Sequence, residues 1–181
     1  MKELSLHILD IVQNSIRAEA SKVKVLIWED PINNWLTIEV EDNGKGMSKT
    51  IKDQVTNPFT TTRTLRKVGL GLPFFDQLCK ECGGELKIKS EEGVGTSIIG
   101  TFQYDHIDRL PIGDMGSTME ALICAKPDIH FTYVHRYGEK EFICDTKEVL
   151  EILDGLPINH PDILQWIRLY IQNNCNDLYE I

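Results

Sequence analysis

The chain has no apolar run approaching the roughly 20 residues that a membrane-spanning helix requires. Glu3, Asp10, Arg17 and Glu19 interrupt its first twenty residues, so the apolar segment of a secretory leader is also missing. A cytoplasmic location with no membrane partner is the expectation. Basic residues are in deficit, 19 against 28 acids for a formal charge of −9, a field that repels phosphate backbones and argues against nucleic-acid binding. Cysteines are few and odd in number, five, and do not read as a disulfide framework. There is no internal repeat and no low-complexity tract. What remains is a globular composition, 41% apolar and 26% charged over 181 residues, enough for one ordinary domain or a domain with a small appended unit.

Leu4 to Ala20 places apolar residues at 4, 8, 9, 11, 12 and 16, which predicts a helix with a broad buried side and Ser5 as a candidate cap. Lys22 to Trp28 and Trp35 to Val40 alternate around the turn residues Asp30-Pro31-Ile32-Asn33-Asn34, a hairpin pattern. Residues 48 to 68 hold no sustained period and carry Thr56, Thr60, Thr61, Thr62 and Thr64 with Arg63, Arg66 and Lys67, so they read as a long loop with a short helix near Ile51. A second helix starts at Leu72 and stops at Gly83-Gly84, and strands follow at Glu85 to Ser90 and Thr96 to Tyr104. This order predicts an α+β sandwich, one sheet face covered by helices and the other partly exposed, closing near Tyr104. Residues 109–181 read as a small C-terminal α/β module, with helices over Met115 to Ala125, Lys147 to Leu153 and Asp162 to Asn173 and a hairpin over 130–145.

Asp10, Asn14 and Arg17 stand at i, i+4 and i+7, within about 60° of one another on a helix turning 100° per residue. Alone, that stripe reads equally as a solvent-facing edge. Asp42-Asn43-Gly44-Lys45-Gly46-Met47 ends a strand with two glycines that permit positive φ and close backbone approach. It is compatible with an ordinary turn, yet an acid held there can accept a hydrogen bond from an exocyclic amine such as that of adenine. Gly69-Leu70-Gly71-Leu72 opens a helix, whose free N–H groups and dipole favour an anion. Cys79-Lys80-Glu81-Cys82 has metal-ligand spacing, and Cys124 and Cys144 would be needed to complete a four-thiolate site; both Cys79 and Cys82 fall on the apolar stripe of the second helix, so core packing is the expectation.

Taken in order, Asp10 to Ala18 around Asn14, Asp42 to Met47, Asn57-Pro58-Phe59-Thr60-Thr61-Thr62-Arg63, Gly69 to Leu72 and Gly93-Val94-Gly95-Thr96 resemble the motifs of the GHKL ATPases. Over about residues 1–108 the chain is most similar to the ATP-binding domain of histidine kinases. The resemblance implies a two-layer α/β (Bergerat) fold with a small C-terminal extension. It makes Asn14 the Mg²⁺ ligand, Arg17 a phosphate contact and Asp42 the adenine-reading acid. Gly44, Gly46 and Thr96 complete the base pocket, Gly69, Leu70, Gly71 and Leu72 flank the phosphates, and Thr60, Thr61, Thr62, Arg63 and Lys67 belong to the ATP lid. The implied cofactors are ATP and Mg²⁺. The implied partner is an unidentified protein or phosphoacceptor, with a homodimer left open and the C-terminal module available for docking.

Three departures shape the expected activity. Lys67 stands where histidine kinases commonly have a further glycine, and the sequence opens on the first ATP-domain helix without the helices that carry the phosphorylated histidine; His7 reads as a structural residue. Asp10 occupies the place where gyrase, MutL-type proteins and anti-sigma kinases carry a glutamate acting as general base, so it is the candidate catalytic residue, with ordering of a metal-bound water as its other reading. Signalling ATPase or protein kinase, anti-sigma-type serine/threonine kinase, slow ATP-gated switch and non-catalytic nucleotide sensor all remain open at this point.

Overall fold

A computed structural model describes residues 2–56 and 71–180. Helix α1 spans Leu4–Arg17 and buries Leu4, Ile8, Ile11 and Val12, none more than 1% exposed. Burying side chains of this size contributes roughly 1.5–3 kcal/mol each, which is what holds the helix on the sheet. Ser5 is not its cap. It lies inside the helix and is buried, and the first free N–H groups of α1, those of Leu4 and Ser5, donate instead to the carbonyls of Pro111 and Ile112 at 2.9 and 2.8 Å. The helix also stops three residues earlier than its pattern suggests: Glu19 takes a positive φ of 58°, and the Ala20 N–H returns to the Ser15 carbonyl.

Strands β1 (Lys22–Asp30) and β2 (Trp35–Asp42) form the expected hairpin, paired from Val23↔Asp42 to Asp30↔Trp35. Odd-numbered residues of β1 and even-numbered Leu36, Ile38 and Val40 of β2 point into the core. Helices α2 (Lys49–Thr56) and α3 (Gly71–Glu81) precede β3 (Leu86–Glu91) and β4 (Gly95–Gln103). Then come α4 (Met115–Ala125), the hairpin β5 (His130–Tyr137) and β6 (Lys140–Asp145), α5 (Thr146–Ile152) and α6 (Pro161–Asp177). Asp114, Asp145 and His160 cap the last three helices with their side chains, and Pro161 opens α6 where its missing N–H costs nothing.

All the described strands join one mixed sheet in the order β3-β4-β2-β1-β5-β6. Strand β5 runs parallel to β1, from Lys22↔His130 to Glu29↔Tyr137, and the other neighbours are antiparallel. Helix α1 packs on α3 and α4, and α4 pairs with α6, so one face of the sheet is covered. The architecture is the α+β class expected from the sequence. The sheet does not close near Tyr104, however: β5 pairs with the free edge of β1, so a boundary at residue 108 falls within one six-stranded sheet. An unpaired β1 would leave a row of open N–H and C=O groups, and β5 satisfies them.

Candidate functional site

The C-terminal half of α1 and the end of β2 meet at Asp42. Ser15, 2% exposed on the inner side of α1, donates its hydroxyl hydrogen to Asp42 Oδ2 at 2.5 Å, and the Gly44 N–H donates to Oδ1 at 2.8 Å. A carboxylate offers about four lone-pair sites, so Asp42 is oriented by two donors and keeps acceptor capacity for a third. Around the helix from Ser15, half-buried Asn14 accepts a 3.2 Å hydrogen bond on Oδ1 from Arg17 Nη1. Two of the three residues of the stripe read from sequence are therefore hydrogen-bonded to each other.

The loop after Asp42 is tied down at each turn. Asn43 Oδ1 accepts from the N–H groups of Ser21 and Lys22 at 2.9 and 2.8 Å, and its Nδ2 donates to Ser21 Oγ, latching the loop to the start of β1. Lys45 N–H donates to the Ala18 carbonyl, and its ammonium pairs with Glu19 at 2.5 Å on the surface, where such a pair contributes little. Gly46 has φ +68°, and a Cβ there would lie 2.1 Å from the Glu91 carbonyl oxygen, so only glycine lets the loop rest on the β3–β4 turn. A Cβ at Gly44 would meet the Ala18 oxygen at 2.7 Å. Both glycines thus permit approach of the protein's own backbone. Thr96, paired in register with Asp42, is buried, with its Oγ1 2.8 Å from Ser90 Oγ; the Ser90 hydroxyl oxygen also accepts from the Met47 N–H at 2.7 Å.

Gly71 opens α3 against Asp10: a Cβ built on it would stand 3.0 Å from Asp10 Cβ and 3.6 Å from Oδ2. The first described turn of α3 is thereby set beside the one carboxylate of the α1 stripe. Leu72 is 1% exposed and belongs to the core. Thr60, Thr61, Thr62, Arg63, Lys67, Gly69 and Leu70 lie outside the described residues. His7 is buried three residues before Asp10, its ring centroid 6.0 Å from that of Phe75 and its Nδ1 without a hydrogen-bond partner among the described residues. Burial, followed by the positive N-terminus, lowers its pKa against the opposing pull of Asp10.

Cys79 and Cys82 are fully buried in the apolar cluster, and burial pushes the Cys79 thiol up to about 12. Cys144 lies on β6, at the opposite edge of the sheet from β3, and Cys124 is exposed on α4, so the four thiols are not brought together. Sequence reasoning missed Ser15 and Asn43 as site-forming residues. Asn43 was visible inside its motif. Ser15 had only its place on the apolar side of an amphipathic helix, where a hydroxyl demands a partner.

An acid anchored at a strand end, an Asn–Arg pair on the adjoining helix and Gly71 set against Asp10 make up the candidate site on an α+β sheet. A family profile described as histidine kinase-, DNA gyrase B- and HSP90-like ATPase matches residues 2–106, and the chain belongs to that family. It is a histidine kinase-like ATP-binding domain. Among its relatives, a putative sensor protein of Shewanella frigidimarina is 32% identical over 93 residues, 50% of this chain and 14% of that protein. Sporulation kinase C of Bacillus subtilis is 36% identical over 88 residues, 49% of this chain and 20% of that protein. The chain thus spans about a fifth or less of the length of these two relatives. The Aquifex aeolicus MutL ATPase domain complexed with ADP shares the fold, with a TM-score of 0.51 at 17% identity over 85% of this chain and 70% of that one.

Proposed function

We propose that this chain binds Mg²⁺-ATP and uses it to act on a partner protein, as a signalling kinase or regulatory ATPase. The observation that carries the reading is the Asp42 carboxylate, held by Ser15 and Gly44 with lone pairs to spare for the adenine amine. Asn14 would supply a neutral oxygen to Mg²⁺, and Arg17 a positive charge to the phosphates once its bond to Asn14 is released. A single protein oxygen suits Mg²⁺, which fills most of its octahedral shell with water and phosphate oxygens. In a chain of net charge −9, that local positive charge is what makes room for a polyanion.

The position of Asp10 against the first described turn of α3 favours a second, more specific reading in which Asp10 is a general base toward water or an acceptor hydroxyl, as in a serine/threonine kinase of anti-sigma type. Residues 109–181 are the part available for recognising a partner. Calorimetry with Mg²⁺-ATP tests the first reading: Asn14→Ala and Asp42→Ala should each abolish measurable binding, and unchanged affinity in both overturns it. Labelled ATP, partitioned among bound nucleotide, released phosphate and labelled protein, separates a kinase from an ATPase and either from a sensor.

A further inference from the structure

A cleft of about 450 Å³ lies between the C-terminal half of α6, the loop before α4 and β5. None of Asp10, Asn14, Arg17 and Asp42 lines it. Its lining includes three rings, those of Tyr133 and His135 on β5 and of Tyr179 just beyond α6. His135 stands nearly perpendicular to the other two, at 86° to Tyr133 and 90° to Tyr179, with centroids 6.1 and 6.3 Å away. Glu29, 3% exposed on β1, ties the rings together: it accepts from His135 Nε2 at 2.7 Å and from the Tyr179 hydroxyl, while the Tyr133 hydroxyl meets His135 Nδ1 at 2.8 Å. Among the described residues no lysine or arginine lines the cleft, and its acidic side chains are Glu3 and Asp114. Their hydrogen-bond partners are neutral, the Ser5 hydroxyl and the Asp114 N–H on Glu3 and Ser117 and Gln172 on Asp114, so these bonds hold the carboxylates without cancelling their charge. Of the bases nearby, Arg168, whose charge reaches Asp114, pairs with Glu120 at 3.1 Å, and Lys2 stands exposed beside Glu3, so two lining acids with Glu29 behind them keep the balance negative. At the rim, the side chains of Asn173 and Asn176 make no hydrogen bond to a described residue, which leaves their amide oxygens open to a donor.

We propose that this cleft binds a small amine with an aromatic body, its ammonium group taken by Glu3, the rim amides and the rings, and its body by Ile112, Met115 and Ile171. Three properties of the lining select that chemistry. Aromatic rings attract a cation through their π-faces, and the attraction grows where water is excluded. Carboxylates whose charge no lining base offsets favour the same sign, and they reject an anion of equal shape. A neutral molecule of that shape gains neither term. The volume lies in the range of small-ligand sites, which combine apolar walls with a few placed polar groups. The proposal goes beyond the nucleotide reading and does not depend on it.

The probes are phenethylamine, 3-phenylpropanol and 3-phenylpropionate, which share a phenyl ring on a short chain and carry a positive, neutral and negative head group at neutral pH. Amide shift mapping on the full chain reads site and affinity together. Phenethylamine should shift residues 112–116, 133–135 and 171–179. The alcohol should bind about tenfold or more weakly, and the carboxylate should leave the spectrum unchanged. Glu3→Gln, which keeps the shape and removes the charge, should weaken amine binding about tenfold, as should added salt. Asn176 is exposed on α6, so substitutions there leave the fold intact: Asn176→Lys should weaken the amine and Asn176→Asp should strengthen it. Absence of amine binding, equal binding by the three probes, shifts confined to the residues around Asp42, or an affinity unmoved by both Glu3→Gln and Asn176→Lys each overturn the proposal.

Discussion

Replacing Ser15 by alanine removes a single hydroxyl from the donor pair that orients Asp42. The bond it deletes runs 2.5 Å to Oδ2, from a residue 2% exposed, while the Gly44 N–H keeps its place on Oδ1. Hydrogen bonds to charged groups contribute about 1.5–3 kcal/mol net. Asp42 is half-buried, so water can reach the vacated lone pair and the loss should sit at the lower end, about 1.5 kcal/mol. The effect on ligand follows from geometry: a carboxylate held by one donor in place of two spends part of its time turned away from the adenine amine. A tenfold loss of ATP affinity, equivalent to about 1.4 kcal/mol, is the expected scale. Urea titration reads the first quantity, as a lower midpoint at unchanged slope, and calorimetry reads the second. Ser15→Thr separates the two effects, because it retains the hydroxyl but must fit a methyl group into a filled site. It should lose stability and keep ATP affinity. If Ser15→Ala unfolds at the wild-type midpoint and binds ATP equally well, the anchoring role assigned to Ser15 is wrong.

Gly46→Ala should lower the unfolding midpoint sharply, by about 2 kcal/mol or more, since it adds a Cβ 2.1 Å from the Glu91 oxygen at a φ of +68°; a thermal scan matching the parent would exclude that. His7, whose pKa is held down when folded, leaves the unfolded chain to bind the extra proton below about pH 6.5, so stability should fall as pH drops through that region. His7→Leu should flatten this slope, and an equal slope in both proteins would place the titration elsewhere. Asp10→Asn should cut turnover by about 10²–10⁴ with little change in nucleotide affinity if Asp10 is a base, whereas a parallel loss of affinity assigns it to ordering the metal's water.

The elements were legible because their signals are local. Apolar spacing in α1, alternation in the β1–β2 hairpin and turn residues between strands all act within a dozen positions, and the described helices and strands fall within a few residues of where those signals put them. The errors sit where a distant segment decides. Ser5 had the chemistry of a cap, but carbonyls from residues 111 and 112 took the helix's free N–H groups. Glu19 ends α1 in a left-handed conformation that no glycine or asparagine advertises. The site divides the same way: Asn14, Arg17 and Asp42 were visible from motif spacing, whereas the Ser15–Asp42 bond, spanning 27 positions, depends on how α1 is rotated against the sheet.

The place of residues 109–181 was hidden for a related reason. Alternation along a strand reports which face is buried and says nothing about which edge is paired. Read through residue 108 alone, β1 is an outer strand, with β2 on one side and solvent on the other. Yet β1 runs nine residues, carries Val23, Val25 and Ile27, and contains neither a proline nor a bulge in its register with β2. Outer strands of that length and composition are usually protected by a charge, a kink or a cover. Lys22, Lys24, Glu29 and Asp30 give β1 charges that suit an outer strand, so its sequence did not announce a further partner, and it is the alternating segment His130–Tyr137 that supplies one.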